Sequence, residues 1–260
     1  MSGRRFITLF LAFFSFSVGW CASPPSVIAH RGGAALGVEN TLSCIEAAIV
    51  AGADAVEIDV RLTKDGCPVV FHDAKVNATT NGRGKISDLS LAYVQSLQIY
   101  DRKGVPTRET IPTLQQVLSF VNGRCGVLIE VKEAGRGIEE RILNDVLACN
   151  AAEWVSVQSF SDDVLFRFHE LNAPFPLEKL IVFKVPLLPL VADGTLRNFS
   201  LDKYHFISSF NFKQSFFPSR LAAKLRKAGK QVKVWTVDAP SSSIKFDVDG
   251  VITDAPHLWR

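Results

Sequence analysis

In the stretch AVEIDVRLTKDGCPVVFHDA, residues 55–74, two carboxylates interrupt one apolar run, Glu57 and Asp59, and a histidine beside an aspartate closes the next, His72 and Asp73. Side chains on a strand alternate faces. Glu57 and Asp59 therefore point one way, roughly 6.5 to 7 Å apart along the strand, while Val56, Ile58 and Val60 point the other. The pattern recurs in GVLIEVK, where Glu130 and Lys132 oppose Ile129 and Val131. Buried unpaired carboxylates are costly, and three that converge repel one another. A divalent cation relieves both costs. Oxygen-only ligation by Glu57, Asp59 and Glu130 suits one hard ion, Mg²⁺ or Ca²⁺, better than zinc or copper. For any single acid the alternative is an ion pair with Lys132 or Arg31; like positions for all three on neighbouring strands favour the cation.

His30 and His72 each close a strand and each precede a charged residue, Arg31 or Asp73. Imidazoles that trade protons near neutral pH suit a general acid and base pair. Arg31 offers a planar fork that matches phosphate oxygens, and Lys132 adds a point charge. With a cation beside them, these groups make an anionic, phosphate-like substrate the natural guest. Gly32 and Gly33 let the backbone approach it closely. His169, His205 and His257 have no such setting and are expected on helix surfaces or loops.

The elements that must position these groups are legible in the hydrophobic periodicity. Strands are expected at 27–30, 55–60, 68–72, 126–131, 154–159, 179–184, 206–210, 231–237 and 249–254. Helices are expected after Asn40-Thr41, Thr113, Gly137, Ser161 and Pro218-Ser219, from their capping residues and apolar spacing. Strand followed by helix, about eight times over, implies parallel strands with crossover helices. The expected fold is therefore an α/β (β/α)8 TIM barrel over residues 26–260, whose active site lies at the carboxyl ends of the strands. Residues 75–110, rich in turn formers around a short LAYVQSLQ helix, read as a compact insertion after the second strand.

The 260 residues are 47% apolar and carry a formal charge of +3, which gives no broad basic field for nucleic acid. The N-terminus has Arg4-Arg5, an apolar stretch from Phe6 to Val18 and small residues before Pro24, so residues 1–22 are expected to be a cleaved secretory signal and the protein exported to a periplasm or secreted. About 13 apolar residues are short for a membrane span, and none is expected in the mature chain. Export permits disulfides, and a Cys125–Cys149 bridge is conceivable, although free and mostly buried thiols are the favoured state. The cysteine spacing lacks the close pairs of a structural zinc site.

HRGG at 30–33, ENT at 39–41, EIDVRLTKDGCPVVFHD at 57–73, TTNGRGKISDLS at 79–90, EVK at 130–132, VQSF at 157–160, VWTVD at 234–238 and DGVITDAP at 249–256 resemble the glycerophosphodiester phosphodiesterase family, in order and across essentially the whole mature chain. The resemblance implies a (β/α)8 barrel that hydrolyses glycerophosphodiesters to glycerol 3-phosphate and an alcohol with a divalent metal. It places His30 and His72 as the acid and base pair, Glu57, Asp59 and Glu130 as metal ligands, and Arg31 and Lys132 at the phosphate. It also brings Glu39, Gln158 and Trp235 to the substrate. For Glu39 the alternative is favouring the first turn of a helix, and for Trp235 it is packing between barrel layers. Two other readings stay open: a lysophospholipid-directed phosphodiesterase and a catalytically silent barrel that binds phosphodiesters.

Overall fold

A computed structural model of the chain describes residues 24–181, 200–240 and 247–260. The expected signal, residues 1–22, lies outside them, as do positions 182–184 of one expected strand. The described strands are β1 (Ser26–Ala29), β2 (Ala55–Leu62), β3 (Pro68–Val70), β4 (Gly126–Val131), β5 (Val155–Ser159), β6 (Leu177–Ile181), β7 (Ile207–Lys213), β8 (Gln231–Trp235) and β9 (Gly250–Thr253). All but β3 run parallel in the order β1, β2, β4 to β9, and β9 returns to pair with β1. The sheet is thus a closed (β/α)8 barrel.

The outer faces of the strands are apolar because helices cover them. Val56, Ile58 and Val60 of β2 and Ile129 and Val131 of β4 are fully or almost fully buried. They share one core with residues of α3 (Leu114–Val121), α4 (Ile138–Ala148) and α5 (Asp162–Glu170). Each such side chain contributes on the order of 1.5 to 3 kcal/mol by leaving water. The inner faces are layered differently. Ile28, Leu128 and Ile252 form a small apolar plug. Beyond them a polar row runs around the barrel through the register pairs Asp59↔Glu130, Glu130↔Gln158 and Gln158↔Glu178.

The helices start where their capping residues stand. Thr113 and Gln116 form a reciprocal capping box on α3, and Ser161 accepts from the Val164 amide at the start of α5. The other α-helices among the described residues are α1 (Leu42–Val50), α2 (Leu91–Ser96) and α6 (Ser219–Lys227). The four described cysteines are free, so no bridge joins Cys125 to Cys149.

The expected strand at 68–72 requires one correction: it is not a barrel strand. β3 pairs antiparallel with β2, Val60↔Val70 and Leu62↔Pro68, across the Lys64-Asp65-Gly66 turn. A connection this short can only build a hairpin, since parallel strands need a crossover of a dozen residues or more. The Phe71 amide then donates to the Asp59 carbonyl at 2.8 Å, which delivers His72 beside the end of β2. The insertion packs over this hairpin through its own small core of Val76, Ile86, Val94, Leu97 and Ile99 against Val69, Phe71 and Ile111.

At the end of β1 the chain turns sharply through Arg31, Gly32 and Gly33, all at positive φ (51°, 80° and 90°). A Cβ added at Gly32 would stand 3.0 Å from Ile45 Cγ1 on α1. Gly32→Ala is expected to cost roughly 1 to 3 kcal/mol from backbone strain and crowding together. Thermal unfolding checks this, and an unchanged Tm would contradict it.

Candidate active site

The turn after β1 serves two residues at once. His30 Nδ1 lies 2.6 Å from Asp254 Oδ1, beyond the end of β9, and the Arg31 amide donates to Glu57 Oε2 at 2.8 Å. The Arg31 side chain donates to Glu39 Oε1 at 2.8 Å, and its Nε lies 3.8 Å from Asp59 Oδ2. Asn40, itself at φ 60°, donates from Nδ2 to Asp59 Oδ2 at 2.8 Å and accepts the Asp59 amide. On the opposite wall, His72 Nδ1 is 2.8 Å from Asp73 Oδ1. Both histidines therefore have Nδ1 held by a carboxylate, which leaves Nε2 for chemistry.

Glu57, Asp59 and Glu130 are buried, and one oxygen from each falls within 4.8 Å of the others. Lys132 Nζ lies 2.5 Å from Glu130 Oε1 and 3.2 Å from Asp59 Oδ1. Despite that nearby ammonium, Asp59 Oδ1 accepts no well-formed hydrogen bond, and the buried Arg31 Nε donates none. Burial, and after it the charge of Asp59, pushes the Glu57 carboxyl up to about 8. Burial raises Glu130 too, in spite of Lys132. Asp59 goes the other way: burial would raise it, but Lys132 and the other donors around it outweigh that and hold it below its ordinary range. Three close, dry carboxylates face one ammonium, Lys132, and the buried Asp59 Oδ1 keeps an unused lone pair, a donor set that a hard divalent cation fits.

His30 is pulled down by burial, yet the Asp254 hydrogen bond and the charge of Glu57 outweigh this and raise it. Burial likewise lowers Arg31 and Lys132 while their acid neighbours more than compensate, so both stay charged.

His30, His72, Arg31, Glu130, Lys132, Gln158 and Trp235 line one cavity at the carboxyl end of the barrel. Glu57 and Asp59 are buried behind the lining residue Arg31, which contacts both, and Glu39 lines an adjoining cavity with Arg31 and His72. Every residue singled out from the sequence is thus brought to one place. Glu39 precedes α1, whose first turn holds no acid, so it serves Arg31 rather than the helix. Trp235 lines the cavity, packs edge-on against Phe160 at 5.8 Å, and donates from its indole to the Asn211 carbonyl.

Other polar residues of the site are not marked by the sequence pattern. Asp254 closes β9 as His30 closes β1, and that position at a strand's carboxyl end is the one signal it carries. Asn40 lies inside ENT, where its type predicts only a helix cap. Gln158 donates to Glu57 Oε1 at 3.5 Å and accepts from Asn211, which also donates to Glu178. Glu178 is paired with Lys233 at 2.7 Å inside the barrel. The signal for Asn211, Glu178 and Lys233 is a polar side chain at an inward position of an otherwise apolar strand.

The glycerophosphoryl diester phosphodiesterase family model matches residues 30–258. A glycerophosphodiester phosphodiesterase of Caldanaerobacter subterraneus subsp. tengcongensis is 32% identical over 241 residues, spanning 89% of this chain and 94% of its own. The crystal structure of a glycerophosphodiester phosphodiesterase from Thermotoga maritima superposes with a TM-score of 0.69 at 27% identity, covering 91% of this chain and 97% of that one. An Oleispira antarctica phosphodiesterase, solved in complex with the product sn-glycerol-3-phosphate, gives a TM-score of 0.73 at 27% identity over 90% of this chain and 94% of its own.

Proposed function

The chain belongs to the glycerophosphoryl diester phosphodiesterase family, and we propose that it hydrolyses glycerophosphodiesters to glycerol 3-phosphate and an alcohol, with a divalent cation on Glu57, Asp59 and Glu130 and with His30 and His72 moving the protons. One observation carries this reading: the buried carboxylate trio reaches, through Glu130, the cavity lined by two histidines whose Nδ1 atoms are each held by an aspartate. The silent-barrel reading would fit a chain in which one of these groups was displaced, and none is.

A bound cation, Mg²⁺ or Ca²⁺, supplies Lewis acidity that draws charge from the phosphoryl oxygens. Arg31 and Lys132 face the same oxygens. The Arg31 Nε proton, without an acceptor of its own, is available to one of them. His30, whose hold on a proton is strengthened by the Asp254 hydrogen bond, gives that proton to the departing alcohol oxygen. His72 takes the proton of the attacking oxygen. The attacker is water, or it is the substrate's own glycerol hydroxyl; in the second route the alcohol leaves as a cyclic phosphate forms, and water then opens that ring with the two histidines exchanging roles.

The test is release of glycerol 3-phosphate from glycerophosphocholine by the purified chain, with Mg²⁺ or Ca²⁺ and with chelator. Release that needs the cation supports the reading; no release from any glycerophosphodiester with either cation sinks it. Asp254→Asn is expected to lower kcat about tenfold or more and to move the alkaline limb of the pH profile to lower pH, because His30 loses the partner that raises it. A profile unmoved in that variant would take the acid role from His30.

We also infer export, from Arg4-Arg5 and the apolar stretch that follows. Among the described residues no helix is long and apolar enough to cross a membrane. Recovery of the protein outside the cytoplasm with a new N-terminus near residue 23 is the expected outcome; an intact Met1 on exported or cytoplasmic protein contradicts cleavage.

A further inference from the structure

Two cavities meet at the carboxyl end of the barrel, and Arg31 and His72 line both. A phosphodiester carries two arms on one phosphorus, so a phosphoryl group at that junction directs one arm into each. Beyond the catalytic groups, the cavity over the barrel presents uncharged walls: Phe160, Leu180, Trp235 and Thr236 with the Gln158 amide. It matches glycerol, an uncharged polyol. The second cavity, about 230 Å³, runs beneath the insertion past Phe71 and Asp73 to Tyr100, Asp101 and Arg102.

The charges of this second cavity are unequal once their partners are counted. Arg31 is engaged by Glu39 at 2.8 Å and Arg102 by Asp254 at 3.4 Å. Asp101 uses Oδ1 to accept the Lys103 and Val105 amides, at 2.9 and 2.8 Å, and among the described residues no basic side chain pairs with it. Among the described residues, the side chain that pairs with Asp73 is His72. The lining thus sets two arginines, Arg31 and Arg102, against three carboxylates, Glu39, Asp73 and Asp101, a net negative charge in a cavity that Tyr100 and Phe71 also line. Carboxylate and aromatic face together are the surroundings that an ammonium group prefers.

We propose that the insertion-side cavity is the subsite for the departing alcohol and that it selects alcohols bearing an ammonium group. This rests on the phosphodiesterase reading above and adds to it the residues, Tyr100 and Asp101, that set the head-group preference.

The experiment compares kcat/KM for glycerophosphocholine, whose head group is cationic, with that for glycerophosphoglycerol, whose head group is neutral, by glycerol 3-phosphate release. The expected ratio is about threefold to tenfold in favour of choline, the size of a partly exposed cation–carboxylate or cation–π contact. Asp101→Asn retains the Oδ1 acceptor that the turn needs and is expected to bring the ratio toward one. Tyr100→Leu, tested separately, should do the same by removing the ring. A ratio near or below one in the parent enzyme, or one unchanged in both variants, overturns the subsite while leaving the phosphodiesterase reading intact. No turnover of either diester overturns both.

Discussion

Raising the pH of the metal-free protein from about 5 to 8 is expected to lower its Tm, and millimolar Mg²⁺ or Ca²⁺ to restore it. Glu57 has an ordinary value of 4.5 and is pushed to about 8 by burial and then by Asp59, and Glu130 moves in the same direction. A carboxyl raised in the folded state binds a proton that the unfolded chain has already released. Its stabilising contribution is full below the ordinary value and is lost as pH rises through the folded one. His30, also raised, adds a loss of the same sign. Asp59 is lowered, so its contribution is lost only in acid, outside this window. Each tenfold change in proton affinity is worth roughly 1.4 kcal/mol, so Glu57 alone corresponds to a few kcal/mol across the range. A cation that binds only the folded form adds about 2.7 kcal/mol at a hundred times its Kd. Because protons compete for the same oxygens, its thermal shift should grow with pH. Glu57→Gln should abolish most of this dependence, weaken cation binding measured by calorimetry, and reduce kcat by at least about a hundredfold, since the transition-state charge loses its counter-ion. A Tm that is flat with pH and indifferent to cations would show that the trio holds no metal.

The alternation in β2 and β4 was readable because the two faces of a barrel strand meet different partners, helices outside and the active-site mouth inside. Val56, Ile58 and Val60 against Glu57 and Asp59 state that difference in five residues. Helix starts were readable for a local reason: Thr113 and Ser161 accept from amides three positions on, and Gly137 takes the left-handed backbone turn that starts α4. What the sequence hid is what depends on closure. β3 looks like any apolar strand, and only its short turn tells that it folds back on β2. Asp254 meets His30 across 224 positions of chain, a contact that exists only because β9 returns to β1. The Glu178–Lys233 pair likewise needs β6, β7 and β8 side by side before its charges find one another. Residues whose role is set by a distant partner carry little signal of their own, and the support of His30 is of that kind.

Replacing His30 or His72 with alanine is expected to lower kcat for glycerophosphocholine by roughly 10² to 10⁴, the usual worth of positioned proton transfer. The two losses should then separate by leaving group. With a glycerol 3-phosphate ester of p-nitrophenol, the departing phenolate needs no proton. His30→Ala should regain most of the lost rate on that substrate, and His72→Ala should not, because the attacking oxygen must still be deprotonated. The distinction follows from the supports of the two rings. Asp254 is a quarter exposed and itself held below its ordinary range, with burial opposing and the His30 hydrogen bond prevailing, so it stays ionised and favours the imidazolium. Asp73, nearly half exposed, fixes the orientation of the His72 ring through Nδ1 and leaves Nε2 to meet the attacking oxygen. Both variants should keep cation affinity close to the parent's, since neither histidine is one of the three carboxylates, and calorimetry with Mg²⁺ or Ca²⁺ checks that the site remains assembled. Rescue of His72→Ala instead of His30→Ala would exchange the two roles. Rescue of neither would mean that the alcohol does not leave with a proton from these side chains.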